Sequence, residues 1–193
     1  MTNNTNKHQT LNRRGFLKSS GKLALSGTTI AIVGGLSIAH AGKTASSKEL
    51  AQDVRILNTA IAAEHEAVAA YQLGAESGLL TTGTLKVAVK FQGHHKEHID
   101  VLASTIRKLG GRATHAKSNY NFPVDQLKNE ADVLRFAASL ERGAVSAYAG
   151  AIPLFDNSDL AKAAASILAD EAMHWAILRQ ALSLDPVPGA FFS

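Results

Sequence analysis

Apolar residues return every three or four positions along most of this chain, the spacing of one helix face. From Glu49 to Glu76 the stripe steps through Leu57, Ile61, Glu64, Val68 and Tyr71, with no Pro and no Gly before Gly74. Gly78 and Thr81-Thr82-Gly83-Thr84 end this helix and start a second, from about Thr84 to Leu109, whose stripe is Phe91, His95, His98, Leu102 and Leu109. Gly110-Gly111 is the expected C-terminal cap. Residues 110–128, with Asn119, Asn121 and Pro123, exceed a tight turn and predict a crossover. Asn129 is a natural N-cap for a third helix reaching Ile152 before Pro153, along Leu134, Ala138, Glu141, Val145, Tyr148 and Ile152. Asp156-Asn157-Ser158 predicts the start of a fourth, from Asp159 to Leu184, along Ile167, Glu171, His174 and Leu178. Asp185-Pro186-Val187-Pro188-Gly189 cannot continue it. No segment alternates as a strand would. Two hairpins joined by a long connection predict an all-α fold, an antiparallel four-helix bundle over 49–185, with a leader at 42–48 and a tail at 186–193.

The stripes are interrupted in a repeated way. EHEAVAAY at 64–71 and ERGAVSAY at 141–148 share a Glu, an Ala-Val pair and a Tyr seven residues beyond the Glu. His98 lies 34 residues after Glu64 with His95 three before it, and His174 lies 33 after Glu141 with Glu171 three before it. The chain reads as a duplicated helical hairpin whose ionisable groups sit midway along each inward stripe. An unpaired carboxylate in an apolar interior costs several kcal/mol or becomes neutral. One Glu on a helix is usually solvated, and one core His is usually a hydrogen-bonded packing residue. Four helices each carrying such a residue at one depth point instead to a cation between them.

The first 41 residues carry Lys7, Arg13, Arg14, Lys18 and Lys22 but no acid, and Leu23 to Ala39 is apolar with many Gly, Ser and Thr. Asn12-Arg13-Arg14-Gly15-Phe16-Leu17-Lys18 closely resembles the twin-arginine export signal, a receptor-read address rather than an anchor. Ala39-His40-Ala41 offers small residues where a signal peptidase reads, so cleavage is expected after Ala41, giving a periplasmic or otherwise exported protein handled by the twin-arginine translocation machinery. An uncleaved anchor is the alternative, although an apolar run of about 17 residues is short for a bilayer. That export pathway carries folded proteins, often with cofactors already bound.

Losing this segment removes five of the 20 Lys and Arg, leaving 15 against 16 Asp and Glu, so the formal charge of +4 becomes about −1. The basic balance therefore gives no support to nucleic-acid binding, and no basic stripe with interleaved aromatics revives it. With no cysteine, disulfides, iron–sulfur clusters and cysteine zinc sites are excluded, and any metal must be held by His and carboxylate.

A Glu from each of two helices plus a Glu-x-x-His from each of the others is the ligand set of the ferritin-like di-iron carboxylate proteins. Residues 50–184 resemble that superfamily, and in particular exported ferritin-like domains of undefined function. The resemblance implies Glu64 and Glu141 as the single-Glu ligands, Glu171 and His174 as a complete Glu-x-x-His, and His98 as the second histidine. His95 departs from the pattern by standing where the family has a Glu that bridges two metals. A neutral imidazole has one coordinating lone pair and cannot bridge. Glu97 could swing in, a hydroxide or water could bridge, or one metal could sit among His95, His98, Glu64 and Glu171. Tyr71, His94, Glu97 and Tyr148 are the candidates to support the ligands from behind, while His65 and Glu66 read as surface residues.

The resemblance implies iron, as one or two ions, used for redox chemistry with oxygen or peroxide; manganese or zinc share these ligand preferences. The competing expectation is a metal-free bundle acting as a binding or structural module. A homo-oligomer remains open, and neither substrate nor electron donor is legible.

Overall fold

A computed structural model describes residues 46–192. The Arg13-Arg14 stretch and the expected cleavage after Ala41 lie outside the described residues. Among the described residues there are four long helices: α1 (Ser47–Glu76), α2 (Thr82–Lys108), α3 (Glu130–Ala151) and α4 (Ser158–Ala181). Among the described residues there is no strand, and no helix is long and apolar enough to cross a membrane.

Local chemistry sets the helix ends. Ser46 caps α1 through a capping box, its hydroxyl accepting from the Glu49 amide while the Glu49 carboxylate accepts from the Ser46 amide. This draws Ser47 and Lys48, expected in the leader, into the helix. Thr81 caps α2, so that helix starts at Thr82 rather than Thr84. At its other end Gly110 takes φ +79, the Gly111 amide donates to Ile106 O and the Gly110 amide to Arg107 O, a Schellman cap. Helix α4 stops at Ala181, three residues before the expected Leu184. The same cap is built there around Ser183 at φ 58, with the Leu184 amide donating to Arg179 O and the Ser183 amide to Gln180 O. The stop is a backbone reversal at a non-glycine residue, which the apolar stripe running on to Leu184 conceals.

The crossover from Leu109 to Asn129 contains one 3-10 turn at Val124–Gln126. It is pinned to α1 by Asn58, whose Oδ1 accepts from the Thr114 amide (2.7 Å) and hydroxyl (2.8 Å) and whose Nδ2 donates to Arg112 O. Helix α1 packs mainly on α2 and α3 mainly on α4. Because the crossover traverses the bundle, α1 and α3 run in opposite directions: Glu64 meets Tyr148 and Tyr71 meets Glu141. Helices α2 and α4 are opposed in the same way, since His94 lies beside His174 and His98 beside Asp170.

The apolar core is split in two. Leu57, Ile61, Leu102, Ile106, Leu160 and Ile167 fill one end, and Phe91, Leu134, Ala138 and Leu178 with Tyr71 fill the other. Between them lies a polar layer, which the helices hold in place from both sides.

Gly111 shows how tightly the first end is closed. A Cβ there would come within 2.7 Å of Val54 Cγ1 and 3.0 Å of Ile106 Cγ2. Gly111→Ala should therefore destabilise the protein by about 1–3 kcal/mol through overpacking, read as a lower midpoint in urea. Gly93→Ala, where a Cβ meets nothing within 4 Å, should not.

Candidate metal centre

The polar layer draws on every helix: Glu64 from α1, His95 and His98 from α2, Glu141 from α3, and Glu171 and His174 from α4. Each occupies a position of its inward stripe, so the apolar residues one turn away on either side force it into the centre. Glu171 is 0% exposed, and His95, Glu141 and His174 are each 1% exposed. His98 is partly buried.

The two sequence repeats are related in space by an approximate two-fold exchange. The Tyr148 hydroxyl donates to Glu64 Oε1 at 2.6 Å, and the Tyr71 hydroxyl donates to Glu141 Oε1. Each tyrosine thus serves the glutamate of the other repeat, because seven residues along antiparallel α1 and α3 bring it level with its partner's acid. The same exchange relates His98 to His174, with Nδ1 of each 3.4 Å from the glutamate of its own half. It also pairs His95 with Glu171, and His94 with Asp170.

His95 stands between the halves. Its Nδ1 is 2.8 Å from Glu64 Oε2 and its Nε2 is 3.4 Å from Glu141 Oε1. Glu171 Oε1 lies 3.2 Å from His98 Nδ1 and 3.6 Å from His95 Nδ1. Two sets of four donors converge here and share His95 and Glu171: Glu64, His95, His98 and Glu171, and then His95, Glu141, Glu171 and His174. Glu141 Oε2, both Glu171 oxygens and His174 Nδ1 are buried at ion-pair distance or beyond from their neighbours and take part in no aligned hydrogen bond among the described residues. Buried polar atoms are rarely left so. Carboxylate and imidazole lone pairs aimed at one volume are the donor set of a divalent metal.

Without a metal, protons supply the positive charge. Burial alone would push the His95 imidazole down, but Glu141 and Glu64 raise it to about 10. His98 is raised to about 9 against its burial by Glu171 and Glu64, and His174 to about 9 by Glu141 and Glu171. Burial would raise Glu64 and Glu141; the imidazoles His95 and His98 for the former, and His174 and His95 for the latter, hold them below the ordinary carboxylate range. Burial and then Glu141 push the Tyr71 hydroxyl well above its ordinary value, and burial and then Glu64 do the same to Tyr148. Both tyrosines therefore remain proton donors.

Of the residues singled out in the sequence, Tyr71, His94 and Tyr148 also reach the cluster. Glu97 does not: it is exposed on α2, because one residue from His98 turns it about 100° off the inward face. Asp170 was missed. Its Oδ2 lies 2.9 Å from His94 Nδ1, 3.2 Å from His174 Nε2 and 3.5 Å from His98 Nε2. The signal for it was its place one turn before His174, on the same face. A cavity of about 560 Å³ between α1 and α3 leads to Glu64, His95 and Glu141, walled largely by Ala60, Ala63, Ala144 and Ala147.

Comparison with known proteins places this geometry. A family model described as a ferritin-like domain matches residues 52–184. Among solved structures, a conserved hypothetical protein of Mycobacterium tuberculosis is similar at 23% identity with a TM-score of 0.64, covering 74% of this chain and 99% of that one. A protein described as ferritin-like and diiron-carboxylate, from Bacillus anthracis str. Ames, is similar at 20% identity with a TM-score of 0.61, covering 71% of this chain and 99% of that one. No curated protein sequence matches.

The protonation pattern has a sign that can be checked on metal-free protein. The raised histidines contribute stability that is complete below their ordinary value of 6.5 and is lost as pH rises through about 9 to 10. The lowered Glu64 and Glu141 contribute stability present above 4.5 and lost in stronger acid. Melting temperature in chelator should accordingly be highest between about 4.5 and 6.5 and fall steadily to pH 10. A flat or rising profile from pH 7 to 10 would contradict the charge assignment.

Proposed function

The chain belongs to the ferritin-like domain family, and from that premise we propose that its bundle core binds iron or a similar divalent metal for redox chemistry with oxygen or peroxide. The observation that carries this reading is the set of buried carboxylate and imidazole atoms left without hydrogen bonds where four helices converge. The diiron-carboxylate description of the structural neighbour from Bacillus anthracis supports the same choice.

Glu64, His98 and Glu171 would hold an ion on one side, and Glu141, Glu171 and His174 on the other. His95 presents one ring nitrogen to each side, and a neutral imidazole ligates through only one. It would complete one group and donate its N–H to the carboxylate of the other. Glu171 is the acid common to both groups, so it is the residue on which binding depends most. A bound iron ion would supply one-electron transfer at open coordination positions. Tyr71 and Tyr148 would hold Glu141 and Glu64 in place by donating to them. The alanine-walled cavity between α1 and α3 would admit a small substrate to Glu64, His95 and Glu141. The Arg13-Arg14-Gly15-Phe16-Leu17-Lys18 stretch supports export by the twin-arginine route.

One observation favours a second reading, a metal-free binding or structural module. His95, at 2.8 Å from Glu64 and with its imidazole raised to about 10, offsets the buried acids together with His98 and His174, each raised to about 9.

Elemental analysis and melting separate the two readings. Under the first, protein recovered after native export contains stoichiometric metal, and chelation at pH 8 lowers its melting temperature by several degrees. Glu171→Ala should abolish both the metal and the shift. Metal-free protein that melts identically with and without chelator would establish the module instead.

A further inference from the structure

A third constellation lies outside the two core groups: His94, Asp170 and His174. We infer that these residues form an outer cation site that captures a divalent first-row transition metal near the bundle surface and hands it to the core. The inference rests on the metal-binding reading above and goes beyond it, since neither core group includes His94 or Asp170.

The first argument is geometric. His94 Nδ1, Asp170 Oδ2 and His174 Nε2 form a triangle with edges of 2.9, 2.9 and 3.2 Å. Ligand atoms about 2.1 Å from one ion stand roughly 3.0 Å apart on neighbouring octahedral positions and roughly 3.4 Å apart on a tetrahedron. Two imidazoles and one carboxylate on a single face, with the remaining positions open, suit ferrous iron and its neighbours in the series.

The second argument is an accounting of protons. If both imidazoles donate to Asp170, their N–H groups oppose each other across 2.9 Å. If His94 instead donates to His174, or the reverse, one contact to Asp170 has no proton in it. No arrangement of hydrogens turns all three edges into hydrogen bonds, whereas a cation satisfies all three atoms together.

The third argument comes from the internal duplication. Position 94 is the two-fold mate of Asp170 and touches it at 2.9 Å, so an acid at 94 would have set two carboxylates against each other. Histidine there faces the aspartate instead, and the triangle of two imidazoles and one carboxylate exists only because of that difference.

The path inward is equally specific. The side chain of His94 is 31% exposed and that of Asp170 22%, while His174 is 1% exposed. The His174 ring turns Nε2 to the outer site and Nδ1, free of any hydrogen bond, to Glu141 in the core. Phe91 stacks on this ring at 3.9 Å between centroids and holds its plane. One residue therefore addresses both sites, and because a neutral imidazole ligates through one nitrogen at a time, an ion held outside would have to leave Nε2 before the ring could ligate in the core through Nδ1.

Cobalt(II) is a convenient probe, because its visible absorption reports imidazole and carboxylate coordination. In full-length metal-free protein the first cobalt spectrum to form in rapid mixing should be that of the outer site, and it should be missing from His94→Asn, which can still hydrogen-bond to Asp170 or His174 but ligates poorly. Core loading of His94→Asn in rapid mixing should accordingly slow while its final occupancy is retained. Crystals of the unaltered protein soaked in cobalt should show an anomalous peak among the three side chains, which needs no variant to fold. The same early spectrum and loading rate in His94→Asn with a normally loaded core would overturn the outer site alone. Failure of the unaltered protein to bind any cobalt would overturn the metal-binding reading with it.

Discussion

Glu64, Glu141 and Glu171 sit side by side in a layer that solvent hardly reaches, and the centre of the bundle is arranged around the positive charge they require. Isolated, each carboxylate would cost several kcal/mol of desolvation or surrender its charge. The bundle answers with imidazoles on α2 and α4 and with tyrosine hydroxyls two turns along α1 and α3. The same lone pairs that receive protons from His95, His98 and His174 are those a divalent ion would take. Proton and metal would thus compete for one set of atoms, and pH and metal supply would act on the same equilibrium.

Direction matters as much as composition. A Glu and a Tyr seven residues apart on one helix are roughly 10 Å apart along its axis, too far to bond to each other. Opposing α1 and α3 makes each pair reciprocal, so Glu64 takes Tyr148 and Glu141 takes Tyr71. Parallel helices would bring Glu64 level with Glu141 and set acid against acid. The long crossover, tethered to α1 through Asn58, is what reverses the second hairpin, so a feature remote from the centre decides its electrostatics.

Much of this was legible in the chain because helical periodicity is a local property. The four stripes, the Asn129 cap and the glycine cap after α2 follow from neighbours within a few residues, and the polar residues on those stripes could be assigned to the interior. The partner of each polar residue could not, because it depends on how helices are opposed across the bundle. Asp170 illustrates the loss: beside Glu171 it reads as an ordinary surface acid, and only the approach of His94 and His98 from α2 gives it a role. Ser183 illustrates another, since a left-handed residue that is not glycine leaves no mark in a hydrophobic pattern.

The asymmetry of the duplication sharpens the question posed by His95. Helix α4 carries Asp170-Glu171 three residues before its histidine, and α2 carries His94-His95 in the matching places. A symmetric centre with acids at both would hold six carboxylates and two imidazoles, a charge that only metal could neutralise. This chain instead sets four acids, Glu64, Glu141, Asp170 and Glu171, against four histidines, His94, His95, His98 and His174. Protons on the core histidines offset the acids of such a layer, so under the metal-binding proposal the bundle would fold before it is loaded. His95, which would weaken a bridge between two metals, is therefore also the residue that would let the fold stand without them.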